Sequence, residues 1–237
     1  MSQRLLVIAS LLSLPLSTLS AQGTRRTDQP LLGDPSRLTL VNVTATRVQY
    51  RGRDAIRLVG RPTTATPGTP TNNIAIVDYE FRDGTIEAEI AGIPAAGADT
   101  SARGFVGLAF RVDSSGDRFA AFYLRPTNGR AQDQLRRNHA TQYISEPEYP
   151  WYRLRKELPG VYESYVDLEP GAWTPIRIEV RGDVAQLFVN GSQQPVLIVN
   201  DMKSPPAVGR IALWIDQDTD AHFTGLRVTP ISAASSR

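Results

Sequence analysis

The chain has 237 residues, 26 Lys+Arg against 24 Asp+Glu, and no cysteine. Near-balanced charge without a run of one sign argues against a nucleic-acid surface. The lack of cysteine excludes disulfides, thiolate metal sites, a cysteine nucleophile and an N-terminal acyl anchor.

The N-terminus carries the first signal. Arg4 precedes the uncharged apolar run LLVIASLLSLPLSTL at 5–19, and Ala21 supplies a small residue before Gln22. Charge, apolar core and small residue together define a signal peptide over 1–21. The run is shorter than the roughly 20 residues a membrane span requires. Later segments are less apolar still. The expected location is therefore outside the inner membrane: periplasmic or extracellular, with no membrane span once the signal is cleaved. Residues 22–36 read as a flexible lead, 37–231 as one domain, and 232–237 as a flexible tail.

From Leu38 onward, short runs rich in Val, Ile, Phe and Tyr alternate with Gly, Pro, Asn and Asp. This pattern predicts an all-β domain of many short strands. Period-two alternation places them at 39–43, 47–50, 55–59, 73–76, 84–90, 105–112, 119–125, 175–181, 184–189, 196–199, 209–216 and 222–229. Gly182-Asp183 and Asn190-Gly191 mark tight turns, the latter with the positive φ angles of a type I′ pair. Residues 127–170 are polar, aromatic and proline-containing, and read as one long connection. A connection of that length in a compact domain is commonly functional.

The string WTPIRIEVRGDVAQLFVNG, Trp173 to Gly191, resembles a recurring piece of concanavalin A-like jelly rolls. GRIALWIDQDTDAHFTGLRV, from Gly209, resembles the closing strands of that fold, and DGTIEAEI and GFVGLAFRVD its opening strands. The resemblance implies a β-sandwich jelly roll of two antiparallel sheets. Within the superfamily the chain is similar to laminin-G-like domains and to the 3-keto-disaccharide hydrolase domain family. The latter similarity implies cleavage of oxidised sugars or glycosides. The Glu-x-Asp-x-x-Glu strand of family 16 glycoside hydrolases is not matched by Asp83-Gly84-Thr85-Ile86-Glu87-Ala88-Glu89, which has the wrong spacing and no central aspartate.

Candidate chemistry follows from alternation. Glu87 and Glu89 share a strand face that reads as solvated. Arg111, Tyr123 and Arg125 lie opposite the inferred core faces of their strands. If these strands are neighbours, the three gather on one surface, with Gly107, Ala109 and Ala121 leaving room for a ligand. Arginine forks and a phenol suit sugar hydroxyls or a carboxylate. Trp214 and Asp216 take the same outward parity, as a stacking platform and a hydroxyl acceptor. In the 127–170 connection, Asn138, Tyr143 and Trp151 are further candidates for sugar binding. His139 and Glu163 are the candidates for proton transfer. Trp173 and His222 read as structural. Asp216, Asp218 and Asp220 alternate like calcium ligands, but the glycine and the twelfth-position glutamate of a calcium loop are missing. Calcium is the one ion considered, and no cofactor is otherwise expected.

Two readings follow. One is a carbohydrate-directed domain cleaving glycosidic bonds as a hydrolase or lyase. The other is a non-catalytic module that binds glycan or protein.

Overall fold

The computed structural model describes residues 31–62 and 72–231; the expected signal peptide, most of the lead-in and the C-terminal tail lie outside the described residues. The strands are β1 (Thr39–Val41), β2 (Val43–Tyr50), β3 (Arg53–Gly60), β4 (Asn73–Phe81), β5 (Gly84–Pro94), β6 (Val106–Val112) and β7 (Phe119–Leu124). They continue with β8 (Thr141–Glu146), β9 (Glu163–Ser164), β10 (Thr174–Arg181), β11 (Val184–Val189), β12 (Leu197–Val199), β13 (Gly209–Ile215) and β14 (Thr219–Pro230). Helix α1 (Gln134–Asn138) precedes β8 and α2 (Trp151–Glu157) follows it.

These strands form two seven-stranded antiparallel sheets, ordered β1-β4-β13-β6-β7-β8-β9 and β12-β11-β10-β5-β14-β3-β2. Alternation explains the core. Ile86 and Ile90 of β5, Ile176 and Ile178 of β10, and Leu108 and Phe122 of the facing sheet all point between the sheets and are buried. Turn chemistry sets the registers. Arg51 and Gly52 both take positive φ in the two-residue β2–β3 loop. Gly182 does so between the paired Arg181 and Val184. Asn190 and Gly191 have φ of 56° and 71°, but they open a longer connection to β12 rather than a two-residue hairpin.

The connection expected at 127–170 is instead partly regular. It contributes β8, β9, α1 and α2, and so completes one sheet. Polar residues hide β8 from a hydrophobicity reading, because its outer face carries Gln142 and its neighbour at the sheet edge, β9, has only two residues.

The outer face of that sheet is the structure's unusual surface. One line of directly opposed residues crosses all seven strands: Val41, Ile74, Trp214, Gly107, Tyr123, Gln142 and Glu163. The next line holds Ile76, Ala212, Ala109, Ala121 and Ile144. Nearly all of these are buried, and the apolar ones form a second cluster outside the main core. The open surface expected here is therefore not found. At Gly107 the reason is visible. Tyr123 and Trp214, from the strands on either side, close over the missing side chain and stack with centroids 4.5 Å apart. Small residues left room, and the protein's own rings fill it.

Arg111 leaves this face altogether. β6 is irregular at this point, where Ala212 faces Ala109 but Arg210 faces Val112, and Arg111 takes φ 54°. An extra residue in a strand re-aims its side chain. Arg111 reaches the end of the sandwich, where it donates to Asp83 at 2.9 Å and to the carbonyls of Arg82 and Gly182 at 3.0 and 2.6 Å. Asp83 also accepts from the Gly182 amide at 2.9 Å. Arg111 thus ties the β4–β5 crossover to the β10–β11 turn and does not gather with Tyr123 and Arg125.

Gly107 supplies a test. A Cβ there would meet the Phe122 carbonyl oxygen and lie 2.6 Å from the Tyr123 Cα. Gly107→Ala is expected to cost about 3 kcal/mol by overpacking and to lower Tm by about 10 °C. Loss of the near-ultraviolet circular dichroism of the stacked pair should accompany it in a thermal scan.

Candidate functional site

The polar end of the seven-strand line is where titratable groups converge. Tyr123, Gln142 and Glu163 stand directly opposite one another on β7, β8 and β9. Arg125 lies two residues beyond Tyr123 and turns back over them. It donates to the Tyr123 hydroxyl at 2.9 Å, to Gln142 Oε1 at 3.0 Å and to Glu163 Oε1 at 3.2 Å. It also donates to the His139 carbonyl at 3.0 Å, which ties the end of α1 to the sheet. Asn128 donates to the same carbonyl at 3.1 Å.

Glu163 receives a second guanidinium from α2. Arg155 Nε lies 3.2 and 3.1 Å from its two oxygens, and Arg155 Nη2 donates to Oε1 as well. His139 Nε2 is 3.5 Å from Oε2. The Glu163 side chain is 2 % exposed, that of Arg125 4 %, and that of Arg155 33 %. A buried carboxylate requires such partners, because ionisation without them costs several kcal/mol.

Local sequence explains the placement. Asp133 caps α1 by accepting from the Arg136 amide at 2.9 Å. The helix ends at His139, whose amide donates to the Arg136 carbonyl at 3.1 Å, so the imidazole projects over β9. α2 begins after Pro150 and carries Trp151 and Arg155 one turn apart, on the same face.

Beside this network lies a cleft of about 580 Å³. His139, Arg155, Glu163 and Ser164 line it from the sheet side and the helix ends. Leu135, Asn138, Pro159, Gly160 and Tyr165 complete its walls. Tyr165 is 41 % exposed, and its hydroxyl accepts from Arg137 at 2.8 Å. The cleft presents one ring, several donors and one carboxylate.

The sequence-derived candidates therefore divide. Asn138, His139 and Glu163 meet at the cleft, and Trp151 adjoins it through Arg155, whose guanidinium carbon lies 4.7 Å from the Trp151 ring centroid. Tyr123 and Arg125 lie beneath it as buried support. Trp214 is spent on Tyr123, and Asp216 is half-buried nearby with its amide donating to the Phe105 carbonyl. Tyr143 is corrected from surface to core: it is fully buried between the sheets, where its hydroxyl accepts from the Lys203 amide at 3.0 Å. Arg155 and Tyr165 were missed. Their signal was present in the i, i+4 spacing of Arg155 from Trp151 and in the aromatic that directly follows the Glu163-Ser164 edge.

Burial shifts several of these groups. It pushes the Tyr123 phenol up to about 12, against the pull of Arg125, and Tyr143 to about 12 as well. Both stay protonated. Burial pushes Asp216 above the usual carboxylate range, with Asp218 adding to it. Burial also lowers His139 below the ordinary histidine value, with Glu163 opposing. The imidazole facing the cleft is thus neutral at neutral pH.

The remaining candidates sit elsewhere. Glu89 pairs with Arg53, and Glu87 lies 3.9 Å from Arg227, as a solvated strand face would have it. Asp220 is held bidentately by Arg57 at 2.8 Å. Among the described residues, no three acidic, His or Cys side chains converge as metal ligands. His222 stacks on Tyr50 at 3.6 Å, and Trp173 meets the same ring edge-on.

No protein-family model matches the sequence, and no curated protein matches it. Solved structures do match in shape. A carbohydrate-binding module, CBM66, from Bacillus subtilis superposes with a TM-score of 0.52 at 15 % identity, over 80 % of this chain and 93 % of that one. A galectin-like protein of unknown function from Bacillus subtilis gives 0.52 at 11 %, covering 80 % and 87 %. A Parabacteroides distasonis protein, provisionally assigned as a glycosyl hydrolase, gives 0.52 at 12 %, covering 86 % and 98 %. The fold is a concanavalin A-like sandwich. At these identities the likeness concerns architecture, and function rests on the site.

Two outcomes test the network. Arg125→Ala leaves Glu163 paired with Arg155 but strips a donor from Tyr123, Gln142 and the His139 carbonyl, and is expected to cost about 3 kcal/mol, read in chemical denaturation. The second concerns pH. The folded protein binds a proton at His139 at lower pH than the unfolded chain, whose histidines titrate near 6.5. The unfolded state therefore takes up protons first as pH falls, and stability declines below about pH 6.5. His222, lowered by burial too, adds to the same slope. His139→Gln should flatten the decline in urea midpoints measured between pH 7.5 and 5.5.

Proposed function

We propose that this protein is an exported carbohydrate-binding module, and that it holds its ligand in the β9–α1–α2 cleft without cleaving it. The observation that carries this reading is the state of Glu163. Among the described residues it is the one carboxylate lining the cleft, and it is clamped by Arg125 and Arg155. Glycoside cleavage in its usual form needs two carboxylates about 5–10 Å apart across the bond. A binding module needs an aromatic platform and fixed donors. Tyr165, Asn138, neutral His139 and the free edge of Arg155 match that need. The shared architecture with CBM66, a carbohydrate-binding module by name, supports the same class. Export rests on the signal pattern at 1–21. Among the described residues, no helix is long and apolar enough to cross a membrane.

The glycoside-cleaving reading, implied by the similarity to 3-keto-disaccharide hydrolases, keeps one point in its favour: the 3.5 Å approach of His139 to Glu163. The deciding experiment uses protein recovered from periplasm or medium, with its N-terminus expected at Gln22. It is screened against a glycan array and then incubated with glycosides and 3-keto-glycosides. Binding without product is expected, and Tyr165→Ala should weaken it about tenfold, which corresponds to about 1.4 kcal/mol. Product formed by the wild type and lost in Glu163→Gln would replace the module with an enzyme.

A further inference from the structure

Exposed apolar side chains are unevenly distributed over this molecule. Of the nine large ones among the described residues, six lie between 135 and 165: Leu135, Trp151, Tyr152, Leu158, Val161 and Tyr165. Leu135 and Tyr165 wall the cleft, and Leu158 and Val161 flank its Pro159-Gly160 wall. Trp151, 41 % exposed, stands over the Arg155 guanidinium that lines the cleft floor. Concentrated exposed apolar surface marks an interaction site.

Resting on the glycan reading above, we propose that the ligand is an oligosaccharide chain spanning two platforms, Tyr165 in the cleft and Trp151 beyond it, rather than a single terminal sugar. Three features favour a chain. Trp151 and Arg155 are four residues apart on α2, about 6 Å along the helix axis, and the Trp151 ring lies 4.7 Å from the guanidinium carbon that lines the cleft, so a second ring adjoins the cleft without lining it. Arg155 touches both places: it is held by Glu163 on one side and lies against Trp151 on the other. The cleft also follows the free edge of the sheet, because β9 is its last strand. Among the described residues, no further strand pairs with β9 on that side. Aromatic faces separated by polar donors complement the alternating C–H faces and hydroxyl rims of linked pyranoses, whereas a purely apolar partner would strip water from the outward polar atoms of Asn138 and Arg155 without replacing it.

The test is a length series. Xylo-, cello-, manno- and galacturono-oligosaccharides of one, two, four and six units are titrated by calorimetry into the wild type, Trp151→Ala and Tyr165→Ala. For the series that binds, affinity is expected to rise at least tenfold from one unit to four. Trp151→Ala should erase that rise, so that its one-unit and four-unit affinities agree within about twofold, and Tyr165→Ala should weaken every length. Trp151 is the exposed tryptophan, so four-unit ligands should also protect fluorescence from acrylamide quenching where one-unit ligands do not. Affinity independent of length, or a length gain that survives Trp151→Ala, overturns the inference and leaves the glycan reading intact. If no member of any series binds, the glycan reading falls and the inference falls with it.

Discussion

The architecture around the cleft depends on the cost of burying one carboxylate. Glu163 sits on a two-residue edge strand with its side chain almost wholly enclosed. An unpaired charge there would be strongly destabilising, so three separate segments must deliver partners to it. The end of β7 supplies Arg125, α2 supplies Arg155, and the end of α1 brings His139. Each of those segments also walls or supports the cleft. The shape of the site and the neutralisation of Glu163 are therefore one problem with one solution. Removing either arginine would loosen the cleft and leave Glu163 to a single guanidinium.

The same line of residues shows how the sheet separates structure from function. At one end, Val41, Ile74 and Trp214 bury apolar surface; at the other, Gln142 and Glu163 carry hydrogen bonds. Tyr123 is the hinge between the two. Its ring stacks on Trp214 across Gly107, while its hydroxyl accepts from Arg125. A sandwich of this kind has an outer sheet face on which a ligand can lie. Here the face is filled by the protein's own side chains, and the available concavity moves to the sheet's edge. The displacement follows from composition: a glycine and three alanines invite neighbouring rings and strand side chains to close over them, and burying those rings is favourable by several kcal/mol.

Much of this was legible in the residues. Alternation assigned the inward faces of β5, β7, β10 and β13 correctly, because a buried face tolerates no slip of one residue. It failed at Arg111, where an irregularity in β6 breaks the period of two and sends the side chain to the end of the sandwich. No pattern of residue types announces a positive φ at arginine; the constraint comes from Asp83 and the Gly182 carbonyl, far away in sequence. It also failed for β8, whose Tyr143 points inward among polar neighbours that resemble a loop. Glu163, His139 and Asn138 were recognisable by type, and their convergence was not. That convergence is set by the pairing of β8 with β9 and by the capped end of α1, both of which are tertiary facts.

The network also bears on whether the site binds or reacts. A general acid or base must be free to reach its substrate during turnover, and Glu163 instead directs its two oxygens at the Arg125 and Arg155 guanidiniums. What such a carboxylate does well is fix its arginines. Arg155 loses much of its rotamer freedom to Glu163 before any ligand arrives, and the entropy normally lost on fixing a long side chain has been spent in folding. Its remaining edge is then a rigid donor at the cleft surface, backed by a neutral imidazole that adds no competing charge. Pre-fixed donors beside a ring suit the capture of a hydroxylated ligand. Under the proposed binding reading, the ion pairs of the cleft floor are the part of the site that is ordered before a ligand arrives.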